Sequence, residues 1–335
     1  MSGRETILVV RWGRLGDVLL AAAATRELRR SFPEARIDFA VKRSFAEAAA
    51  LLPGVDRILA LDGSGLLDLL RFRSGSVAKR VDLFVDLHGN ARSRLLAILV
   101  RPRRRVVYDR LALTRRALVR WKRGKGMPLA PVWRRYLGAL EKAGLAVESA
   151  PPRLRGTAPA APSGAIVLAP GAGRETKRWP APRFAEAARL LAERTARPII
   201  VVGSEKERVL LEEVRAGAPD RARVAAGLPI AEVAALLRSA SLVVTTDSGL
   251  LHLANGVETP VVAVFGPTTP ELGFGPSGSR DRVVSVDLSC RPCSLHGTDR
   301  CPLPDRSHIC MTRIEAEEVV RAALAILGDT TGTAG

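Results

Sequence analysis

The 335-residue chain is poor in aromatic residues and cysteine, and it has no long uncharged apolar run. It contains four tryptophans, two tyrosines, eight phenylalanines and four cysteines. No apolar segment approaches the ~20 residues that span a bilayer. The N-terminal sequence, Met1-Ser-Gly-Arg-Glu followed by ILVV, has neither the apolar length nor the cleavage site of a signal peptide. We therefore expect a cytosolic protein without a transmembrane segment.

Three common nucleotide and metal motifs are also absent. The turn from Arg11 to Asp17 (RWGRLGD) joins a strand to a helix but matches neither the Walker A pattern nor G-x-G-x-x-G. The loop from Pro170 to Pro180 (PGAGRETKRWP) has two glycines, but threonine stands where the third would be. No Asp-x-Asp occurs, so the usual clamp for a metal-bound diphosphate is missing. An ATPase or an ordinary dinucleotide enzyme is therefore not indicated.

What the chain does contain is two runs of alternating strand and helix patterns, which are typical of parallel sheets covered by helices. With 335 residues, 47% of them hydrophobic, it is long enough for two domains. Residues 151–163 (PPRLRGTAPAAPS), rich in Pro and Ala, separate the two runs. We predict an N-terminal domain over 1–155, a C-terminal domain over 164–327 and a disordered tail over 328–335. The last helix has the alternative of packing back on the first domain.

The predicted elements give each domain a doubly wound α/β architecture. The strands are expected at Thr6 to Val10, Arg36 to Val41, Arg57 to Leu61, Asp82 to Leu87, Arg105 to Tyr108, Ala165 to Ala169, Pro198 to Val202, Arg223 to Ala225, Leu242 to Thr246 and Val261 to Phe265. The helices are expected over Asp17 to Arg30, Ser44 to Leu52 and Arg313 to Leu327, after Asn90, and near Pro182, Glu205 and Pro229.

Positive charge dominates the composition and is concentrated in one place. The chain carries 52 Lys and Arg against 34 Asp and Glu, a net charge of +18. Eleven basic residues and one acid, Asp109, lie between Arg101 and Lys125. Such a run is either a solvated face or a contact for an acidic partner such as anionic lipid, phosphorylated glycolipid or nucleic acid. The scarcity of aromatic residues and the absence of a nucleic-acid motif argue against nucleic acid.

The segment from Val243 to Thr268 is the most informative part of the chain. A strand runs into Asp247, Ser248 and Gly249, which open a short apolar helix, and a second strand follows. Asp247 or Ser248 can cap this helix, and its backbone N–H groups and dipole favour an anion. The pattern therefore predicts a phosphate-bearing ligand near residue 247.

Two other turns carry candidate chemistry. Asp17 is either a helix N-cap or, in its glycine-bracketed turn at a strand end, a general base. Lys177, in the loop beside Trp179, could join the loop amides on a diphosphate. Without a metal clamp, lysine and helix dipoles would stabilise a diphosphate leaving group.

The four cysteines are clustered as Cys290-x₂-Cys293-x₇-Cys301-x₈-Cys310, with His296 and His308 nearby. Disulfides are not expected in a cytosolic protein, and this spacing permits a structural zinc. It is not the paired CxxC arrangement of a zinc ribbon, however. A reduced, packed loop is the favoured alternative, and we assign no metal ligand and no cofactor.

Four motifs, in order, strongly resemble glycosyltransferase family 9, the ADP-heptose:lipopolysaccharide heptosyltransferases. They are RWGRLGD at 11–17, DLHGNARS at 86–93, PGAGRETKRWP at 170–180 and TDSGLLHL at 246–253, with FGPT at 265–268. The resemblance covers Ile7 to Leu327. It implies a GT-B fold, in which two Rossmann-like doubly wound domains face each other across a cleft, and an inverting, metal-independent transfer. The form of the lysine loop looks closer to the enzymes that add the second heptose.

The resemblance also implies roles for single residues. Asp17 matches the aspartate that deprotonates the acceptor hydroxyl, with Gly16 beside it at the acceptor. Lys177 matches the lysine on the donor phosphates. The second nucleotide-sugar segment is matched by Asp247, Ser248, Gly249 and His252, although His252 alone would suit a buried core position. His88, Arg92 and Arg94 could meet acceptor phosphates or carboxylates, or could equally form a capping turn and a solvated helix face.

The function implied is transfer of L-glycero-D-manno-heptose from ADP-heptose to the phosphorylated lipopolysaccharide inner core. The enzyme would be cytoplasmic and held peripherally at the inner face of the inner membrane by the basic run at 101–125. One alternative is a family 9 enzyme with another nucleotide sugar or acceptor. A second, of a different class, is a non-catalytic anion or nucleic-acid binder that uses the same basic run and needs no Asp17.

Overall fold

The computed structural model describes residues 4–63, 65–122, 128–156 and 164–328. The chain divides into two compact units, Met1–Leu111 with Val132–Gly156, and Ala112–Pro131 with Thr157–Gly335. Ala112–Pro131 groups with the second unit, and the domain bounds expected from the sequence stay a prediction. Residues 157–163 of the expected linker and 329–335 of the expected tail lie outside the described residues.

The strands of the described chain are parallel and fall close to the predicted positions. They are β1 (Thr6–Val10), β2 (Arg36–Lys42), β3 (Arg57–Leu61), β4 (Leu83–Asp86), β5 (Arg104–Val107), β6 (Ile166–Ala169), β7 (Ile199–Gly203), β8 (Ala222–Ala226), β9 (Leu242–Thr246), β10 (Val261–Val264) and β11 (Arg282–Val284).

Most helices cover these sheets, and several are shorter than the sequence predicts. They are α1 (Leu15–Leu20), α2 (Ala22–Ser31), α3 (Ala46–Ala50), α4 (Leu66–Gly75), α5 (Ala91–Val100), α6 (Ala112–Trp121), α7 (Val132–Lys142), α8 (Ala181–Arg194), α9 (Arg208–Arg215), α10 (Ile230–Ser239), α11 (Gly249–Gly256), α12 (Ile309–Thr312) and α13 (Ala316–Leu327). In the described ranges, no helix has the length and apolar character needed to cross a membrane.

The first unit is built on one sheet with the strand order β3-β2-β1-β4-β5. The central strand β1 pairs with β2 and β4 and is buried along its whole length, which explains its uninterrupted apolar sequence. Trp12, directly after β1, packs edge-to-face on Phe72 of α4 with ring centroids 5.8 Å apart. Fully burying a Val, Leu or Ile side chain stabilises a fold by about 1.5–3 kcal/mol, so these residues dominate the core.

The second unit repeats the plan with the order β11-β10-β9-β6-β7-β8. Trp179 packs on Phe184 of α8 at 4.8 Å, and its indole nitrogen donates to the carbonyl of Ile314 at 3.0 Å. Helix α13 packs against α8 and the strands β9, β10 and β11 of the same unit. The predicted α/β class with two doubly wound sheets is confirmed.

Each sheet has one point where its strand order reverses direction. In the first unit this point lies between β1 and β4, and in the second between β6 and β9. Loops that leave the carboxyl ends of two such strands diverge to opposite faces and open a crevice for ligands. The four recognised motifs follow these four strands, so each sheet brings two of them together.

Candidate functional site

The crevice of the first unit contains a buried ion pair. Asp17 lies in the first turn of α1, and its carboxylate pairs with the Arg11 guanidinium that follows β1. The two side chains are only 11% and 8% exposed. Arg14, not Asp17, occupies the N-cap, so the interpretation of Asp17 as a helix cap is wrong. The pairing with Arg11, rather than helix capping, accounts for this carboxylate.

Arg11 also connects Asp17 to the motif after β4. Its Nη1 donates to the Leu87 carbonyl at 3.0 Å and lies 3.2 Å from Nδ1 of His88. Burial, followed by the neighbouring Arg11 charge, lowers the pKa of His88 to about 3. The imidazole is therefore neutral at physiological pH, and its Nδ1 can accept the Arg11 hydrogen bond. His88 therefore contacts Arg11, the ion-pair partner of Asp17.

Helix α7 contributes polar groups that the sequence reasoning missed. Tyr136 is completely buried, packs edge-to-face on Tyr108 at 4.8 Å, and interacts electrostatically with both Arg11 and Asp17. Arg135 is 8% exposed and donates from Nη1 to the carbonyl of Arg110 at 3.0 Å. Its Nε and Nη2 have no partner among the described residues, and burial lowers its pKa. The available signal was a charged residue on the apolar stripe of an amphipathic helix.

Most of the DLHGNARS motif shapes the turn after β4. Asp86 accepts hydrogen bonds from the backbone of His88 and Gly89 at 3.0 and 2.7 Å and from the Ser93 hydroxyl at 2.8 Å. Asn90 caps α5 by accepting from the Ser93 backbone at 2.9 Å. These residues fix the loop that holds His88 against Arg11.

The remaining acceptor candidates take different positions in the first unit. The Arg92 guanidinium lies 5.5 Å from the centre of the Trp12 ring and donates to the Gly63 carbonyl at 2.8 Å. Burial lowers the pKa of Arg92. Arg94 is exposed on α5, as expected of a solvated helix face, and Gly16 lies in the first turn of α1 next to Asp17.

The crevice of the second unit holds a second buried ion pair. Lys177 Nζ lies 2.5 Å from Asp247 Oδ2, with side chains 14% and 9% exposed. The same carboxylate oxygen accepts from the Thr268 hydroxyl at 2.6 Å. The motifs at 170–180, 246–253 and 265–268 therefore meet at one point because β6 and β9 are neighbours in the sheet. In this arrangement the ammonium group predicted to bind phosphate is neutralised by Asp247.

Helix α11 begins beside this pair. Ser248 is the N-cap residue, but its side chain makes no capping hydrogen bond and instead lies 3.2 Å from the Thr245 hydroxyl. Gly249 is the first residue of the helix. The interpretation of Asp247 as a cap is wrong, since Ser248 takes that position and the carboxylate pairs with Lys177. His252 is buried on the same helix, with its ring 6.2 Å from that of Phe274.

The cysteine-rich loop lies in the second unit as well. All four cysteines are free, Cys310 is buried, and burial raises its pKa to about 12 and also raises that of Cys293. Within the described ranges no cluster of three or more His, Cys, Asp or Glu side chains is arranged to hold a metal ion.

Comparisons with known proteins identify the family of the chain. The model of glycosyltransferase family 9 (heptosyltransferase) matches residues 87–301. Lipopolysaccharide heptosyltransferase 1 of Pseudomonas aeruginosa is 27% identical over 356 residues, covering 96% of this chain and 98% of that protein. Lipooligosaccharide heptosyltransferase 2 of Haemophilus influenzae is 26% identical over 294 residues, covering 79% and 84%.

A solved structure gives the same fold. The chain superimposes on the ADP-heptose lipopolysaccharide heptosyltransferase II of E. coli with a TM-score of 0.74 and 20% identity, covering 98% of this chain and all of the other. This likeness confirms the expected GT-B fold. Relatives of the first and second heptosyltransferase types match at nearly equal identity. The chain is a glycosyltransferase and belongs to glycosyltransferase family 9, the heptosyltransferase family.

Proposed function

We propose that this enzyme transfers L-glycero-D-manno-heptose from ADP-heptose to the lipopolysaccharide inner core, with inversion and without a metal ion. The observation that carries the proposal is the pair of buried ionic sites, one at the reversal point of each sheet. One offers a carboxylate held by an arginine, and the other offers a lysine held by a carboxylate. These are the groups that a base-assisted transfer from a nucleoside diphosphate requires.

The donor half would bind the diphosphate through Lys177 and the amino end of α11. The α11 N–H groups and helix dipole favour an anion, and the N-cap side chain does not occupy them. An arriving diphosphate would compete with Asp247 for the Lys177 ammonium. Asp247 retains the Thr268 hydroxyl as a donor at 2.6 Å when the lysine turns to phosphate. The absence of Asp-x-Asp in the sequence supports charge neutralisation by these groups rather than by a bridging metal.

The acceptor half would use Asp17 as the general base. The carboxylate takes the proton of the attacking hydroxyl, the oxygen forms its bond to the anomeric carbon, and the bond to the diphosphate breaks on the opposite face. The Arg11 guanidinium pairs with Oδ2 of this carboxylate and would hold it in one orientation. A positioned base typically accelerates a reaction by ~10² to 10⁴.

We also propose that the enzyme works at the cytoplasmic face of the inner membrane and contacts anionic lipid through α6. Leu113 and Trp121 on this helix are 80% and 64% exposed, and Arg116 and Arg120 lie exposed between them. A face of exposed apolar and basic side chains suits the headgroup region of an anionic bilayer. Residues 123–125 of the basic run lie outside the described residues.

The proposed function is tested by offering the purified enzyme ADP-heptose or UDP-sugars together with heptose-deficient lipopolysaccharide. The expected result is a product heavier by one heptose when ADP-heptose is the donor, and no such product with the UDP-sugars. Transfer only from a UDP-sugar would point to the family 9 alternative with another donor, and no transfer to any truncated acceptor would refute the proposal.

For the membrane contact, the R116Q/R120Q variant should sediment less with phosphatidylglycerol vesicles than wild type, whereas R189Q on α8 should match wild type. Equal sedimentation of all three would refute that contact.

A further inference from the structure

The loop that carries Lys177 is fastened to a distant segment by Thr176. This threonine is 3% exposed, and its backbone N–H and hydroxyl both donate to the Thr298 carbonyl, at 3.1 and 2.7 Å. The Thr298 backbone returns a hydrogen bond to the Thr176 hydroxyl at 2.9 Å. The Thr176 carbonyl in turn contacts the ring Nε2 of His308. Every polar group of the residue next to Lys177 is therefore used to hold its position.

The same segment also packs closely against the lysine side chain. Gly297 has a positive φ of 78°, and a Cβ there would lie 2.9 Å from Cγ of Lys177. Only a glycine permits so close an approach of backbone to the aliphatic part of the lysine. The lysine stem is thus confined on one side by the Gly297 backbone, so its ammonium group samples fewer positions.

The other end of the segment is fastened to the turn that orients Asp247. The Cys293 backbone donates to the Pro267 carbonyl at 3.0 Å. Buried Arg291 donates to the carbonyls of Phe265 and Thr268 at 3.0 and 3.2 Å. Thr268 is the residue whose hydroxyl binds the Asp247 carboxylate. Residues 291–298, which we name the brace, are therefore bonded to both segments that flank the Lys177–Asp247 pair.

We propose that the brace positions Lys177 for the diphosphate of the donor, and that Thr176 is the positioning residue through which it acts. This inference rests on the proposed function for the identity of the donor half. The ligand chemistry it concerns is a nucleoside diphosphate. A lysine on an unbraced loop would lose more side-chain and backbone freedom on binding phosphate, and affinity would fall accordingly.

The test measures ADP and AMP binding by calorimetry in wild type and in Thr176→Val. Valine keeps the shape of threonine but removes two of the three hydrogen bonds to Thr298. The expected result is an ADP affinity lower by about tenfold, since each hydrogen bond contributes on the order of a three- to tenfold change. AMP, which lacks the second phosphate, should lose less than ADP. Thr176→Ser should restore ADP affinity, and D299N, which removes an exposed ion pair at the same loop, should leave it unchanged.

A double-mutant cycle separates positioning from general loss of structure. If Thr176 acts through Lys177, T176V should change ADP affinity little in a K177M background. Equal loss in both backgrounds, equal loss for ADP and AMP, or unchanged ADP affinity in T176V would each overturn the inference. Failure of wild type to bind ADP at all, with binding of another nucleotide, would refute the proposed donor instead. The cycle would then be repeated with that nucleotide, and the same outcomes would decide it.

Discussion

Replacing Asp17 by asparagine tests the proposed reaction most directly. Asparagine keeps the size of the side chain and can accept a hydrogen bond from Arg11, but it cannot take a proton from the acceptor. The site is buried, with Asp17 11% and Arg11 8% exposed, so the substitution also alters a buried ion pair. The predicted effect therefore has a catalytic part and a structural part, and the assay must separate them.

The structural part can be bounded from the contacts. Breaking a buried ion pair by removing one partner costs about 3–5 kcal/mol when the other charge is left without compensation. Arg11 keeps the Leu87 carbonyl at 3.0 Å and the His88 imidazole at 3.2 Å, and the asparagine oxygen still accepts from it. We therefore expect the free energy of unfolding to fall by about 1–3 kcal/mol, which is at or below the lower end of the range for an uncompensated charge. Such a variant should remain folded at 25 °C.

The catalytic part should be larger and confined to turnover. Loss of a positioned general base lowers the rate by ~10² to 10⁴, which corresponds to about 3–5 kcal/mol of activation free energy. ADP affinity should stay within about threefold of wild type, because Asp17 lies in the unit that does not carry Lys177 and Asp247.

The assay measures kcat for heptose transfer, ADP affinity and urea unfolding on the same preparation. Asp38→Asn is the matched control, because Asp38 on β2 is buried at 1% exposure and pairs at 3.2 Å with Arg57 of β3. The control should lose stability but keep kcat. Wild-type kcat in D17N, or an equal loss of kcat in both variants, would refute the assignment of Asp17 as the base.

Three further outcomes follow from the charges and their burial. Lys177→Met should weaken ADP binding by about 10- to 100-fold, because it removes the phosphate-binding cation and leaves Asp247 without its ion-pair partner. Calorimetry measures this affinity. The control K206M, at an exposed lysine, should bind ADP like wild type. His88 has a folded pKa of about 3 against about 6.5 unfolded, so its contribution to stability is complete above pH 6.5 and is lost as the pH falls towards 3. Between pH 7.5 and 5.0 wild type should lose about 1–2 kcal/mol more than His88→Gln in urea unfolding, after allowance for solvent screening, and equal losses would contradict a neutral His88. Cys310, with its pKa raised to about 12 by burial, should be alkylated by iodoacetamide at pH 8 more than about tenfold slower in the folded than in the unfolded protein, as followed by peptide mass mapping.

Local patterns predicted much of the fold. The bounds of β1, β3 and β9 agree with the predicted strands, because short β-branched runs between turn residues favour strands over other structures. Helices α6 and α7 were not predicted. Their arginines, including buried Arg115 and Arg135, obscure the apolar stripe that marks an amphipathic helix. The three-residue edge strand β11 is too short to have a period.

The sequence by itself determined the α/β class, the family and the candidates Asp17, Lys177 and Asp247, since strand periodicity, turn residues and motif spacing are properties of neighbouring residues. The tertiary structure decided which of these residues are partners. Lys177 meets Asp247 because β6 and β9 are adjacent, and strand order depends on packing between segments that are far apart in the chain. The same holds for the hydrogen bonds between Thr176 and Thr298 of the brace, two residues that are 122 positions apart in the chain. Burial, which turns an ordinary aspartate and lysine into confined ionic groups, likewise exists only in the folded protein.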